Sequence, residues 1–217
     1  MPDKLLKAQT RCISHEIRNH LSICDLYSQI IKKNIENSEI KNDAIENALN
    51  CIQKSIKIIS NSLLDLKSLH NFTPAHLDLR YLLKTGVELS EIYIGEKSIH
   101  ITSELCDGQI EVDENKFLAC IVNLIKNAIE AIPHTGKIKL ECKIINNKAH
   151  ILISNTGTPI SKEKQKQIFD EGFTTKTTGS GLGLYICKNN LAAQNAELKL
   201  NKSDKHSTEF EIIIPLS

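Results

Sequence analysis

A histidine beside a carboxylate, with an amide four positions further on, is the part of the sequence best suited to chemistry. His15, Glu16 and Asn19 lie within residues 14–21. Residues four apart on a helix share a face, so His15 and Asn19 would present together, with Glu16 beside them. An imidazole is a nucleophile when one ring nitrogen is unprotonated, and a neighbouring carboxylate can hold the proton on the other nitrogen. A solvated helix face with a chance His-Glu pair is the competing interpretation.

The apolar residues around His15 predict a long amphipathic helix. From residue 5 to about residue 36 there is no Gly or Pro, and apolar residues recur in steps of three and four. His15 is two positions from both Ile13 and Ile17, which places it about 200° around the helix from either. The histidine therefore lies off the apolar stripe and faces solvent, which favours a reactive role over a core role.

A second stripe of the same period runs from Ile45 to Leu69, after a predicted turn at residues 37–42. Two helices of roughly 30 residues, each about 45 Å long, would form an antiparallel hairpin. One hairpin buries both stripes poorly, whereas two hairpins can form a four-helix bundle. We therefore expect a homodimer through residues of about 5–70. The alternative is a monomer whose hairpin packs on its own C-terminal domain.

The boundary between two domains falls at residues 71–75, because Pro74 ends the second helix. This divides the chain into a helical hairpin at 1–72 and a second domain at 73–217.

The second domain has strands and helices in mixed order, with antiparallel hairpins, so the fold class is α+β. Helices are predicted at residues 80–94, 113–132 and 182–194, and strands at 76–79, 98–105, 109–112, 137–145, 149–154, 197–200 and 208–214, with a turn at Asn146–Asn147 and a mostly irregular loop at 156–180.

Composition argues against several classes of protein. The net charge of +1 gives no strong field for nucleic acid or an anionic membrane. No run approaches the roughly 18 apolar residues that span a bilayer, and the polar start lacks a signal peptide, so we expect a cytoplasmic protein. The seven cysteines are odd in number and show no C-x-x-C spacing. We expect reduced, mostly buried thiols and no zinc site.

Two pairs of polar and glycine residues in the second domain could hold a nucleotide and its metal ion. Asn123 and Asn127 lie four apart on one helix, and their amide oxygens suit Mg²⁺ together with phosphate oxygens. Asn155 and Gly157 directly follow a strand, where the side chain can bond a flat base and the glycine permits close backbone approach. Taken alone, the first pair could also be asparagines that cap or crosslink turns of the chain. The second pair could also be an ordinary loop that follows a strand.

Residues 179–184 open a helix after the long polar loop. Their three glycines, Gly179, Gly181 and Gly183, let phosphates approach the free N–H groups of a helix N-terminus. The pattern is not the dinucleotide fingerprint, because no strand directly precedes it, and it is not the lysine-bearing P-loop. By itself it also fits a flexible loop with glycines at a helix start.

Together and in this order, these patches resemble the catalytic core of a two-component sensor histidine kinase over nearly the whole chain. Residues 14–21 resemble the phosphoacceptor box, 123–128 the N box, 155–159 the first glycine box, 168–176 the F box and 179–184 the second glycine box. The resemblance implies a HisKA-like dimerisation and phosphotransfer hairpin. It also implies that a GHKL-type α/β sandwich follows, which binds ATP and Mg²⁺.

The resemblance implies a role for each matching residue. His15 would accept the γ-phosphoryl group, Glu16 would act as base or tautomer-holder, and Asn19 would support dephosphorylation of a response regulator. The nucleotide residues would be Asn123, the Mg²⁺ ligand Asn127, Asn155 at the adenine amine, Gly157, Lys176, Gly179, Gly181, Leu182, Gly183, Leu184 and Thr208.

The implied function is autophosphorylation of His15 and transfer of the phosphoryl group to an aspartate of a response regulator, with possible regulator phosphatase activity. The signal would come from a separate sensor or input protein, or the chain would be part of a longer one. Two alternatives remain open. One is a dimeric phosphotransfer or scaffold protein with a vestigial nucleotide-binding domain. The other is a serine kinase that regulates a sigma-factor antagonist, which gives no reason for a solvent-facing His-Glu pair.

The sequence departs from the family pattern at four places. Asn155 stands where Asp is usual, and its bond to the adenine amine would lack charge assistance. Pro159 replaces a common Gly, His20 replaces a common Pro, and residues 205–207 lack the usual Gly before Thr208. None of these changes removes the phosphoacceptor, the Mg²⁺ amide or the phosphate loop, so we expect an active enzyme.

Overall fold

The computed structural model of the chain divides into two compact units, residues 1–69 and 70–217. It describes residues 72–175 and 181–217, together with 17, 19–21, 23–24, 26–29, 31, 45, 47–52, 55–56 and 59. Within these described parts, no helix combines the length and the apolar character needed to cross a bilayer.

The described residues of the N-terminal unit are helical, both between 17 and 31 and between 45 and 59. The Cys24 thiol donates to the backbone carbonyl of Ile52 across 3.8 Å, so these two stretches pack side by side. The predicted turn at 37–42 and the outer ends of both predicted helices lie outside the described residues. Four apolar side chains of these stretches remain about half exposed: Leu21, Leu26, Leu49 and Ile56.

The C-terminal unit has a mixed five-stranded sheet, a two-stranded sheet and helices, in agreement with the predicted mixture of α and β. The helices are α1 (Leu79–Ser90), a 3₁₀ turn (Glu91–Tyr93), α2 (Glu114–Ala131), α3 (Lys162–Gln165) and α4 (Gly183–Ala192). The strands are β1 (Ala75–Asp78), β2 (Ser98–Glu104), β3 (Gln109–Val112), β4 (Thr135–Ile145), β5 (Lys148–Asn155), β6 (Glu197–Ser203) and β7 (Thr208–Pro215).

The large sheet has the strand order β2-β4-β5-β7-β6, and β1 pairs with β3 separately. Strand β2 runs parallel to β4, whereas the other neighbours are antiparallel. Alternate residues of β5, namely Ala149, Ile151 and Ile153, are buried, which gives the sheet one apolar face. The predicted turn at Asn146 and Asn147 is confirmed, because both residues have the positive φ angles of a two-residue hairpin turn.

Helix α2 forms the centre of the core. Its apolar side chains recur every four residues, and Phe117, Ile121, Ile125 and Ile129 are fully buried. Burying each such side chain contributes about 1.5–3 kcal/mol relative to leaving it exposed. Asp113 caps the helix by accepting a hydrogen bond from the backbone N–H of Lys116 over 3.0 Å.

The structure corrects the expectation for the cysteines. Cys106 and Cys142 form a disulfide, with their Cα atoms 5.3 Å apart, whereas all seven cysteines had been predicted to be reduced. The parallel pairing of β2 with β4 brings the two residues together, and their separation of 36 positions gives no sign of it in the sequence. Among the described cysteines, four remain free thiols: Cys24, Cys51, Cys120 and Cys187.

Two secondary-structure boundaries also differ from the prediction. The helix predicted at 80–94 ends at Ser90, and a 3₁₀ turn continues to Tyr93. The predicted irregular loop at 156–180 contains the four-residue helix α3. Gln165 at the end of α3 donates to the backbone carbonyls of Ile160 and Ser203, so contacts with β6 hold this short helix in place.

Candidate nucleotide-binding site

The amide of Asn123 on α2 lies directly against the start of α4. A Cβ atom added to Gly183 would lie 2.6 Å from Asn123 Oδ1, so only glycine allows this approach. Asn123 Nδ2 donates to Cys187 Sγ, one turn further along α4, over 3.3 Å. The N-box amide and the second glycine box, which were predicted from separate patches, are therefore in contact.

Asn127 follows Asn123 by one turn of α2, so both amides fall on the same side of that helix. Asn127 is half-buried. No group of three His, Cys, Asp or Glu side chains in the described parts of the chain could hold a metal ion. A magnesium ion at Asn127 would take the amide oxygen as one ligand, with phosphate and water oxygens among the others.

Gly172 lies next to Gly181 of the second glycine box. The N–H of Gly172 donates to the carbonyl of Gly181 over 3.1 Å, and both glycines have positive φ angles. A Cβ atom on Gly181 would lie 2.3 Å from the carbonyl carbon of Gly172. Leu182 is buried and Leu184 half-buried at the start of α4. The first-turn N–H groups of α4 have no intrahelical partners, as is usual for helix N-termini that bind phosphate.

Asn155 ends β5 in the interior of the sheet. Its backbone pairs in register with Ile138 of β4 and Thr208 of β7, and only 4% of the residue is exposed. Its side-chain Nδ2 is buried and has no hydrogen-bond partner among the described residues. An unsatisfied buried polar group costs about 1–3 kcal/mol and is rare, so this donor fits a ligand that supplies an acceptor.

The turn after β5 holds Asn155 in place. The N–H of Thr158 donates to the carbonyl of Ala131, the last residue of α2, over 2.8 Å. A Cβ atom on Gly157 would lie 2.4 Å from that carbonyl oxygen and 2.8 Å from Asn155 Nδ2. Lys137 donates its N–H to the Thr156 hydroxyl over 3.0 Å. These contacts anchor the turn after Asn155 to the end of α2 and to β4.

Thr208 is buried across the strand pair from Asn155, and its hydroxyl lies 2.6 Å from the hydroxyl of Ser203. Ser203 Oγ also accepts from the N–H of Ile160 over 2.8 Å. Ser203 thus connects β6, the start of the 156–180 loop and the predicted adenine-side threonine. Sequence reasoning missed this residue, because a serine at a strand end carries no distinctive local signal.

The structure brings the predicted nucleotide residues together in two groups joined by α2. One group contains Asn123 and Gly183, and the other contains Asn155, Gly157 and Thr208, with Gly157 against Ala131. Ala131 follows Asn123 by eight residues, or about 12 Å along the helix axis at 1.5 Å per residue.

The predicted phosphoacceptor stretch is described only in part. Asn19 is helical and exposed in the N-terminal unit. His15 and Glu16 lie outside the described residues, as do Lys176 and Gly179 in the C-terminal unit. The roles of these four residues, like those of the other predicted site residues, remain predictions.

A cleft of about 580 Å³ opens elsewhere in the C-terminal unit, between α3, α4 and the edge strand β6. It shares no residue with the predicted nucleotide site. Its lining includes Phe169, and the Lys188 ammonium lies 5.3 Å from the centre of that ring.

A cluster of charged side chains lies on one face of the five-stranded sheet. Glu211 accepts from His150 over 2.7 Å and from Lys199 over 2.9 Å. Burial by itself would raise the pKa of Glu211, but hydrogen bonds from His150, Lys199 and Asn201 outweigh it and lower the pKa below its usual value. This cluster therefore ties β5, β7 and β6 together.

The chain is similar to known proteins in both sequence and fold. Residues 112–217 match the family described as histidine kinase-, DNA gyrase B-, and HSP90-like ATPase. Sporulation kinase C of Bacillus subtilis (strain 168) is 31% identical over 212 residues, which cover 94% of this chain and 47% of that protein. The signal transduction histidine-protein kinase AtoS of Escherichia coli (strain K12) is 26% identical over 208 residues, with coverage of 94% and 34%. The chain thus spans less than half the length of these two relatives.

Among solved structures, a nucleotide-free catalytic domain of the histidine kinase ThkA matches with a TM-score of 0.58 and 29% identity, over 68% of this chain and 97% of that one. ThkA in complex with the response regulator protein TrrA has a TM-score of 0.57 at 24% identity, over 99% of this chain and 63% of that one, which shows a shared fold. The chain is thus similar in sequence to histidine kinases, and its residues 112–217 match the model of the histidine kinase-, DNA gyrase B- and HSP90-like ATPase family.

Proposed function

We propose that the chain is an ATP-dependent protein histidine kinase that autophosphorylates His15 and transfers the phosphoryl group to an aspartate of a response regulator. The observation that supports this most strongly is the side-chain Nδ2 of Asn155, beside Gly157 and Thr208, which is buried and has no hydrogen-bond partner in the described part of the chain. It lies in the region, residues 112–217, that matches the family described as histidine kinase-, DNA gyrase B-, and HSP90-like ATPase.

The two groups of residues that α2 joins suit the two ends of one nucleotide. Asn155, Gly157 and Thr208 would hold the adenine, with Asn155 at the base edge. The phosphates would lie at the start of α4, against Gly181, Leu182, Gly183 and Leu184, with Lys176, Gly179 and Asn123 nearby. Asn127 would hold Mg²⁺ through its amide oxygen, and that ion, when bound, offsets the negative charge of the phosphates.

The reaction itself would need few protein groups, because phosphoryl transfer depends chiefly on positioning. An unprotonated ring nitrogen of His15 would attack the γ-phosphorus while the bond to the β-phosphate oxygen breaks and ADP leaves. Glu16 would keep the proton on the other ring nitrogen and so hold the reactive tautomer. Asn19, which is exposed on the same predicted helix, would later orient the water that dephosphorylates the regulator.

We propose a homodimer through residues of about 5–70, in which two hairpins of domain 1–72 form a four-helix bundle. The exposed apolar side chains Leu21, Leu26, Leu49 and Ile56 support it, since a helix pair that exposes such residues has apolar surface for a partner to cover. The catalytic domain would comprise residues 73–217.

The proposed partner is the receiver domain of a response regulator. ThkA, whose catalytic domain is 29% identical to this chain, has been solved with the response regulator TrrA. We place the reaction in the cytoplasm, where ATP and such regulators meet, with the signal supplied by a separate sensor or input protein or by further segments of a longer chain.

The decisive experiment is incubation with γ-labelled ATP and Mg²⁺. Wild type should acquire an acid-labile phosphate, His15→Ala should acquire none, and Asn127→Ala should acquire much less. His20→Ala is the matched control, because it removes a neighbouring imidazole that has no proposed role. An unlabelled wild type, or equal labelling of His15→Ala, would contradict the proposal.

The alternative is a dimeric phosphotransfer or scaffold protein with a vestigial nucleotide domain. Asn155 and Pro159, which replace residues usual in the family, are the observations that favour it. Measured ATP affinity separates the two functions. Binding in the micromolar-to-submillimolar range that is lost in Asn127→Ala would exclude the alternative.

A further inference from the structure

We propose that Asn155 makes the base pocket accept 6-oxopurines as well as 6-aminopurines, so that inosine triphosphate (ITP) binds in place of ATP. This inference rests on the proposed function, since it concerns the same nucleotide site. It assigns residue 155 the role of setting base specificity.

The chemical basis is the difference between an amide and a carboxylate. Adenine presents an amino donor at C6 beside the acceptor N1, whereas hypoxanthine presents a carbonyl acceptor at C6 beside the donor N1–H. An amide carries one acceptor, Oδ1, and one donor group, Nδ2–H₂, whereas an ionised carboxylate only accepts. An amide can therefore match either base after a half-turn of its side chain, but a carboxylate facing C6 matches adenine alone.

The geometry lets Asn155 use both of its polar atoms. The backbone of Asn155 is held in the sheet by its pairing with Ile138 of β4 and Thr208 of β7. Its side-chain torsion angles can therefore change while the backbone stays in place. Its Nδ2 has no partner among the described residues, so no internal hydrogen bond of the described fold commits the amide to one orientation. A Cβ atom at Gly157 would lie 2.8 Å from Nδ2, so glycine at this position avoids a clash with the amide.

The buried donor also explains why a 6-oxo group is well suited to the site. A donor that is buried without a partner in the free protein is stabilised when a ligand supplies an acceptor. The C6 carbonyl of hypoxanthine and N1 of adenine both provide one. Guanine has the same C6 carbonyl but adds a 2-amino group, so ITP tests the 6-position without a second change in shape.

The test is calorimetric titration of the full chain with ATP and with ITP, in wild type and in Asn155→Asp. Wild type should bind ITP within about threefold of ATP. Asn155→Asp should weaken ITP binding by about tenfold or more, while ATP binding stays equal or tightens, because its carboxylate would face the carbonyl of the base. Asn147→Asp is the matched control, with the same chemical change at the far end of β5, and should bind both nucleotides as wild type does.

The outcomes separate this inference from the proposed function. If wild type binds ATP but binds ITP more than about tenfold more weakly, the inference alone is overturned. The inference alone is also overturned if the ratio of ITP affinity to ATP affinity is the same in Asn155→Asp as in wild type. Failure of both nucleotides to bind overturns the proposed function with it.

A second measurement does not depend on whether Asn155→Asp folds. The side-chain amide signals of Asn155 in the wild-type NMR spectrum should shift on addition of ITP as well as ATP. Signals that move with ATP and stay unchanged with saturating ITP overturn the inference.

Discussion

Gly183 at the start of α4 lies so close to Asn123 of α2 that an added Cβ atom would stand 2.6 Å from Asn123 Oδ1. This contact connects α2, which carries the predicted Mg²⁺ ligand Asn127, to residues 179–184, which are predicted to bind the phosphates. Nucleotide binding should therefore depend on the size of residue 183 even though Gly183 has no side chain of its own to offer.

Gly183→Ala should weaken ATP binding by about tenfold or more, because Asn123 or the start of α4 must move to accommodate the methyl group. The cost in folding free energy should be about 1–3 kcal/mol, as for other overpacked sites. Calorimetric titration and thermal unfolding measure the two effects. Gly108→Ala is the control, since its new methyl would meet flexible side-chain ends, Leu216 at 2.9 Å and Ile144 at 4.0 Å. Unchanged ATP affinity in Gly183→Ala would show that this contact does not shape the site.

Gly157→Ala should disrupt the base pocket more severely. Its Cβ atom would lie 2.4 Å from the carbonyl oxygen of Ala131, which is backbone and cannot rotate away, and 2.8 Å from Asn155 Nδ2. The hydrogen bond from Thr158 to Ala131 should therefore break, with a loss of at least about 1–3 kcal/mol of unfolding free energy and of detectable ATP binding. Denaturant titration and calorimetry test this, and a variant with wild-type stability and affinity would contradict the described turn.

Asp113 should make stability depend on pH in the acid range. Burial by itself would raise the pKa of this carboxyl, but hydrogen bonds from Lys116 and from the N–H and hydroxyl of Thr73 lower it below its usual value. A depressed folded-state pKa contributes stability that is present above the unfolded value of about 3.9 and is lost as pH falls through the folded value.

Denaturation of wild type and Asp113→Asn between pH 7 and pH 3 measures this contribution. The difference in unfolding free energy should be constant near neutrality and shrink below about pH 4. Asp113→Ala, which also loses the cap of α2, should be less stable than wild type by about 0.5–2 kcal/mol at pH 7. If the difference in unfolding free energy between wild type and Asp113→Asn instead grows as pH falls, the pKa of Asp113 is raised in the folded state and the prediction is wrong.

Reduction of the Cys106–Cys142 disulfide should destabilise the C-terminal domain without changing ATP affinity. The bridge closes a loop over 36 positions, for which about 2–4 kcal/mol is typical. Cys142 pairs with Ile151, four residues along β5 from Asn155, or about 13 Å away. Unfolding with and without dithiothreitol measures the effect, and Cys142→Ser should be insensitive to the reductant. A reductant effect of equal size in that variant would assign the change to another thiol.

Local pattern was sufficient for most regular elements of the C-terminal unit, although it missed the short helix α3. The four-residue apolar period of α2, its cap at Asp113 and the turn at Asn146 and Asn147 all depend on residues within one or two turns of each other, so their neighbours in the sequence specify them. The types of the nucleotide residues were visible in the same way, because amides and glycines at short spacing carry a recognisable chemistry.

Tertiary structure decided which of these residues meet and which polar atom is left without a partner. Asn123 contacts Gly183, and Cys106 bonds to Cys142, only because the chain folds back between them. The burial of Asn155 between β4 and β7 likewise depends on the strand order β2-β4-β5-β7-β6. Such contacts join residues far apart in the chain, and their geometry is set by the packing of whole elements, whereas residue type and local period depend only on the nearest positions.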